Sequence, residues 1–398
     1  MRILVNATNL RIGGGVQRAV EFVRASVAYD RDHEYHYALS DVVARNLAGV
    51  ADLHGQRILI AEASPARPLA GRGTIRALHG LEEQVRPDVV FSIFGPTYTR
   101  FRSPHLMGFA VPWVTHPNPH AWRSLRSPLT RAWYRAWILR AVHSTRRADR
   151  WVLETAVAAD GLARALGVDR DHCHVVPNVC GEHYFRAARD GVEADGRLAK
   201  ARASDFDLLV FSAWYPHKRL ELVPRVAAEL RRRDPSRRYR FFLTIDAASA
   251  PWARIRREAR ARGVAAEVVN LGPIPVADGP GLYQAADALF LPTVLESFTA
   301  SYLEAMCMKR PIVTTDLPFA REVCGDAALC FPPDDVAAAA AAITHLASEE
   351  RLAQELVRKG SRRLEDFPGP REIYGMIVDL LEATARVSPG PQNGAPRV

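Results

Sequence analysis

The chain has 398 residues, 48% of them hydrophobic and 24% charged, and a mean hydropathy of −0.12. That length and balance suit two domains with cores of their own and exclude a disordered or fibrous chain. No apolar run reaches the roughly 18 residues of a membrane span, and no leader precedes a small-residue cleavage site, so a cytoplasmic protein is expected. The formal charge of +9 is uneven: residues 1–180 carry 23 Arg and 15 Asp or Glu, while residues 181–398 are nearly balanced.

The first half alternates short apolar runs with helical periodicity. Residues 2–8 read as a strand, Gly13-Gly14-Gly15 interrupts the chain, and Val16 to Val27 has apolar residues at helical spacing. Further strands are expected at His36–Leu39, Arg57–Ala61, Asp88–Ile93, Leu106–Val111, Trp151–Leu153 and His174–Val176. Strands alternating with helices predict a parallel sheet covered on both faces. Pro177-Asn178 closes this half, and the charged residues 186–206 read as a connection.

The pattern then restarts. Strands are expected at Leu208–Ser212, Tyr239–Ile245, Val268–Leu271, Ala288–Leu291, Ile312–Thr314 and Leu329–Phe331. Helices are expected at Leu220–Arg233, Trp252–Arg262, 336–347, 349–364 and about 371–386. The tail from Ser388, rich in Pro and Gly, reads as disordered. The expectation is two doubly wound α/β domains, 1–185 and 206–370, with the helix at 371–386 packing back on the first. Ligands of such folds sit at the carboxyl ends of the strands.

The five cysteines form no C-x-x-C pair and read as reduced thiols. His172-Cys173-His174 lacks the spacing of a zinc ligand set and reads as the approach to a strand. From Asp88 to Asp149 no acidic residue intervenes, while nine arginines accumulate with Trp113, Trp122, Trp133 and Trp137 among them. Arg interleaved with Trp suits an anionic membrane surface or an anionic substrate. A solvated basic face fits equally well, and nucleic acid is the least favoured partner.

Three patches carry chemistry. In Pro292-Thr-Val-Leu-Glu296-Ser-Phe-Thr-Ala-Ser-Tyr-Leu-Glu304, a strand ends at a proline and a helix begins at about Ser301. Glu296 in the turn can accept hydrogen bonds from ligand hydroxyls, and Glu304 is near enough to hold a second diol. The backbone N–H groups of Ser297, Phe298 and Thr299 near the helix start suit anionic or hydroxyl oxygens. The second patch, Trp214-Tyr-Pro216-His217-Lys218-Arg219, follows a strand and offers positive charge to a departing diphosphate. The third is the glycine loop before the first helix, whose amides can approach a ligand closely.

Taken together, these residues resemble the GT-B glycosyltransferases of the glycosyltransferase 4 and "group 1" families, whose signature is E-x7-E. The likeness extends from Leu271-Gly272 through Leu282-Tyr283 and Ala286-Asp287-Ala288 to Pro311-Ile-Val-Thr-Thr315, and includes Val175-Val176-Pro177-Asn178. It is good over 208–365, moderate over 1–25 and loose over 30–150. It implies two Rossmann-like domains facing across a cleft and a nucleotide diphosphate sugar as donor. By that likeness Glu304 would hold the ribose hydroxyls, and Glu296 the transferred sugar beside its reacting carbon. Ser297, Phe298 and Thr299 would meet the sugar and diphosphate. Lys218, helped by Arg219, would bind the phosphates, and Gly14 and Gly15 would lie against them.

Two departures stand out. Trp214 takes the place of the family's arginine, and Ala110 takes that of its catalytic histidine, for which His116 is the substitute expected here. The resemblance also implies transfer with retention of configuration, without metal or other cofactor, to a hydroxyl acceptor. The Arg and Trp residues favour a lipid-linked acceptor in surface-polysaccharide assembly, with the enzyme peripheral on the inner face of the plasma membrane. The alternatives are another GT-B enzyme, such as a sugar-nucleotide epimerase, or a non-catalytic polyanion- or membrane-binding protein.

Overall fold

The computed structural model describes residues 1–47, 57–198 and 205–386. The tail from Ser388 and part of the connection between the halves therefore lie outside the described residues. The chain forms two compact units, the first from Met1–His116, Ala132–Pro177 and the segment beginning at Gly369. The second comprises Pro117–Arg131 and Asn178–Pro368.

In the first unit the strands are β1 (Arg2–Ala7), β2 (Glu34–Ser40), β3 (Ile58–Ala61), β4 (Val89–Ser92), β5 (His105–Gly108), β6 (Arg150–Leu153) and β7 (Cys173–Val175). They pair in parallel in the order β3-β2-β1-β4-β5-β6-β7. Ile3, Leu4 and Val5 are all fully buried, as expected where helices cover both faces of a parallel sheet and the strand has no solvent side. The expected strand over Leu106–Val111 stops at Gly108, because Pro112 starts a short helix, Pro112–Thr115.

The second unit contains β8 (Phe206–Val210), β9 (Tyr239–Leu243), β10 (Val268–Asn270), β11 (Ala288–Leu291), β12 (Ile312–Thr315) and β13 (Ala328–Phe331). Their order is β10-β9-β8-β11-β12-β13, again parallel. The helix expected from Leu220 begins only at Val223. Pro224 takes its first turn, and Leu220–Leu222 form a separate 3-10 turn.

Two segments belong elsewhere than their place in the chain suggested. Residues 178–185 go with the second unit, because Tyr184 of the helix Glu182–Asp190 is buried there, its ring 5.8 Å from that of Tyr283. Residues 117–131 also join it through Asn118, whose Nδ2 donates to the Val294 carbonyl at 2.7 Å.

The first unit is completed by the helix Pro370–Ala385, which buries Ile373, Tyr374, Ile377 and Leu381. Tyr374 and Tyr35 both donate to Asp30 Oδ2, at 2.8 and 2.7 Å, and their hydroxyls lie 2.7 Å apart. Burial alone would raise the Asp30 carboxyl, but hydrogen bonds from Tyr35, His33 and Tyr374 outweigh it and hold it at about 2.

Candidate active site

Strand order locates the site before any side chain is considered. In the second sheet β8 stands beside β11, and it is there that the direction of winding reverses. Loops leaving two such strands diverge to opposite faces and open a crevice at their carboxyl ends. The loop after β8 carries Lys218, and the loop after β11 carries Glu296.

Those loops are tied together. Val294 N–H donates to the His217 carbonyl at 2.8 Å, and Thr293 Oγ1 lies 3.3 Å from the same oxygen. Thr293 Oγ1 also donates to Glu296 Oε1 at 2.7 Å, and Lys218 Nζ donates to that oxygen at 2.5 Å. Both charged side chains are largely buried, 13% exposed for Lys218 and 9% for Glu296. The His217 ring stacks with Tyr215 and is held neutral: desolvation, reinforced by the Lys218 charge, lowers its pKa to about 3.

Ser297, Phe298 and Thr299 follow Glu296 into the helix Ala300–Cys307 and are all buried. Thr299 is the N-cap residue, yet its side chain makes no capping bond. Tyr302 N–H donates to the Thr299 carbonyl at 3.2 Å, and no side chain caps the N–H groups ahead of it, the arrangement in which a helix start receives an anionic oxygen.

Glu304 lies about one turn into this helix, near the hydroxyls of Tyr283 and Tyr184. Tyr283 Oη is 3.0 Å from Glu304 Oε2 and 3.2 Å from the Ser301 carbonyl. Loss of water pushes the Glu304 carboxyl up to about 7, against the hydrogen bonds from Tyr283 and Tyr184 that pull it down.

Arg219 lies next to Lys218 in sequence but turns elsewhere. Its backbone is left-handed (φ 53°), and its guanidinium meets Asp334 at 2.6 Å and Glu221 at 2.5 Å. Asp334 also receives His120 Nδ1 at 3.2 Å, so Arg219 and His120 share one carboxylate. The remaining site candidates belong to the first unit. His116 ends the helix Pro112–Thr115, with Nδ1 2.7 Å from Thr115 Oγ1.

Gly14 and Gly15 open the helix Gly14–Tyr29 in the loop after β1, which neighbours β4 at the corresponding reversal of the first sheet. Gly13, the N-cap, has φ +71°, which favours glycine. A Cβ on Gly14 would meet nothing within 4 Å, so the space over this helix start is open, whereas one on Gly15 would press on Leu10 at 3.3 Å.

Trp214 packs against the core of the second unit, with the Arg254 guanidinium 5.6 Å from its ring centroid. Asn118, Asp334 and Tyr184 also shape these loops without having been singled out from sequence, whereas Thr293 and Tyr283 lie in stretches already noted, with no role assigned to them. Asn118-Pro119 does bear a local signal, an N-cap followed by proline at the first helical position, and Asn118 Oδ1 caps Ala121 N–H at 2.9 Å. Its partner Val294 lies 176 residues away, and nothing local points there.

Residues 205–349 match the family described as Glycosyl transferases group 1. A D-inositol 3-phosphate glycosyltransferase of Nocardia farcinica is 33% identical over 175 residues, 43% of this chain and 38% of that protein. An O-antigen chain mannosyltransferase B of Escherichia coli is 33% identical over 97 residues, 24% of this chain and 26% of that one. The chain thus spans well under two thirds of the length of either relative. Anabaena HepE, solved in complex with UDP and glucose, shares the fold with a TM-score of 0.70 at 16% identity, over 96% of this chain and all of that one (100%).

Proposed function

We propose that this chain, whose residues 205–349 match the glycosyl transferases group 1 family, transfers a sugar from a nucleotide diphosphate sugar to a hydroxyl acceptor with retention of configuration. The observation that carries this is the Lys218–Glu296 pair at the strand reversal, followed by an uncapped helix start and by Glu304. Lys218 and the amides of Ser297, Phe298 and Thr299 would neutralise the diphosphate, and Glu296 would hold a sugar hydroxyl near the reacting carbon. Glu304, as a carboxylate, would accept from the ribose hydroxyls.

In the reaction the bond from the anomeric carbon to the diphosphate oxygen breaks. The acceptor oxygen bonds on the same face, and its proton passes to the departing phosphate oxygen, so no enzymic nucleophile is needed. Electrostatic stabilisation of the leaving group would be the main contribution of the protein. Arg219 is engaged by Asp334 and Glu221, so its part would be to fix the turn that aims Lys218. His116 is proposed to contact the acceptor or the transferred sugar.

The test is turnover and binding of UDP-, GDP- and dTDP-sugars in EDTA, with acceptor present. One donor should bind and be consumed, and the product should keep the donor's anomeric configuration by NMR. Failure of every nucleotide sugar to bind a folded protein would sink the reading, and an inverted product would remove the retaining mechanism.

A lipid-linked acceptor in surface-polysaccharide assembly, with the protein peripheral on a membrane, is the finer proposal. Its support is the helix Pro128–Thr145, on which Leu129 is 82%, Trp133 61% and Leu139 71% exposed. Trp133 and Trp137 stack there at 6.3 Å, and no acidic residue occurs in the helix. Among the described residues no helix is long and apolar enough to cross a membrane. Vesicles containing anionic lipid should bind the protein at low salt, and Trp133→Ala with Leu139→Ala should weaken that binding by about tenfold. Equal binding by the variant would remove this surface from the proposal.

A further inference from the structure

The loop that carries Lys218 also borders a second cavity, of about 340 Å³, that neither Lys218, Glu296 nor Glu304 lines. Its walls come from residues 124–130, from Trp214 and Pro216, and from the helices Val223–Arg233 and Ala250–Ala261. Four arginines reach it, Arg126, Arg225, Arg254 and Arg257, against two carboxylates, Glu221 and Glu258. Both carboxylates are already engaged. Glu221 accepts from Arg219 at 2.5 Å, and Glu258 is met by Arg262 at 2.8 Å and Arg225 at 3.4 Å.

Arg126, Arg254 and Arg257 therefore line a concave wall with no carboxylate available to them among the described residues. Arg254 lies over the Trp214 ring, which packs against the core and lines the cavity. Ser127 and Thr130, which also line the cavity, supply hydroxyl donors. Guanidinium groups gathered on a concave surface raise a local positive potential, and their planar forks match phosphate oxygens.

We propose that this cavity is a binding site for a phosphate-bearing anion, separate from the donor site of the second unit. Two sources share that chemistry, the headgroup of a lipid and a soluble phosphorylated molecule. Leu129, between the cavity residues Ser127 and Thr130, is 82% exposed, which would place an apolar anchor beside the anion. The site does not depend on the glycosyl-transfer reading.

The test is calorimetric titration of the whole chain with inorganic pyrophosphate, carried out on Lys218→Ala so that the other phosphate-seeking cation is gone. Binding should persist there and should weaken by about tenfold or more when Arg254→Glu and Arg257→Glu are added. The milder Arg254→Gln with Arg257→Gln should weaken it in the same direction, and melting curves of each variant report its folding. Persistence of full binding in the charge-reversed protein, or its loss with Lys218→Ala alone, overturns the proposal.

In the chain with native Lys218, the two reversals should leave UDP-glucose affinity unchanged within about twofold, since a separate site shares no phosphate contact with the donor. An equal loss of UDP-glucose binding would merge the two sites and overturn the assignment. Capture by phosphatidic acid vesicles that requires Arg254 and Arg257 supports the site with a lipid source. Pyrophosphate binding that requires them without vesicle capture supports it with a soluble one. Absence of any nucleotide-sugar turnover by the unaltered protein would defeat the transferase reading and leave this result standing.

Discussion

Replacing Lys218 with methionine should lower turnover of the nucleotide sugar by roughly a hundredfold or more, the loss expected when one stabilising group for developing charge is removed. The same substitution should also destabilise the fold by about 3 kcal/mol, because it strands a largely buried carboxylate. Lys218 and Glu296 satisfy one another at 2.5 Å with almost no water around them. Each occupies the other's proposed substrate contact. A donor would insert its diphosphate against the ammonium and its sugar hydroxyl against the carboxylate, exchanging one satisfied arrangement for another.

This gives a way to separate catalysis from architecture. Lys218→Met combined with Glu296→Gln removes both charges, so much of the lost stability should return. Activity should not return, since neither the proposed phosphate cation nor the proposed sugar-holding carboxylate is present. The measurements are Tm and kcat/KM for both single variants and the double variant. Recovery of activity together with Tm would show that the pair only supports the loops.

The second large effect concerns pH. Glu304 stands at about 7, raised from its ordinary 4.5 by desolvation against the pull of Tyr283 and Tyr184. For folding, a carboxyl raised in this way gives its full stabilising contribution below about pH 4.5 and loses it as pH rises through about 7. For binding the sign is opposite. On the proposed ribose contact, a diol donates hydrogen bonds, so the carboxylate form is the competent one and the group must lose its proton before the donor binds.

Affinity for whichever nucleotide sugar binds should therefore fall roughly twentyfold between about pH 7.5 and about pH 5.5 through one linked proton. The diphosphate of such a donor, with both phosphates esterified, has no titrating group near neutrality. Glu304→Gln should flatten that profile at the low-affinity level and raise Tm above pH 7, where the native carboxylate is most strained by burial. A profile as steep in Glu304→Gln as in the native protein would assign the proton elsewhere.

Strands of parallel sheets are legible because both of their faces are covered. Ile3-Leu4-Val5 and Ala288-Leu-Phe-Leu291 are continuous apolar runs for that reason, and loops bounded by Gly and Pro mark their ends. Glu296, Glu304 and Lys218 were legible as residue types at a spacing, but not as partners. That Lys218 meets Glu296 depends on β8 lying beside β11, which is a property of strand order rather than of either segment.

Arg219 shows the limit most clearly. Its direction is set by a left-handed backbone and by Asp334, 115 residues downstream and itself at φ 66°. The same holds for Glu304, whose carboxyl is raised by burial, while Tyr184 and Tyr283, arriving from two other helices, pull it back down. Residues 117–131 could not be assigned to the second unit from sequence, because an Asn-Pro helix start records how a helix begins and nothing of what lies beneath it.

The helix Pro370–Ala385 has a consequence for the order in which this polypeptide becomes a protein. It buries Ile377 and Leu381 against the first unit, so that unit is assembled from residues translated both before and after the bulk of the second unit. The second unit needs nothing beyond Pro368. Synthesis therefore delivers a complete second unit while the sheet begun at Arg2 still exposes the apolar surface that this helix will cover. The half of the molecule made first is the half that must wait, and chaperone demand during translation should concentrate on it.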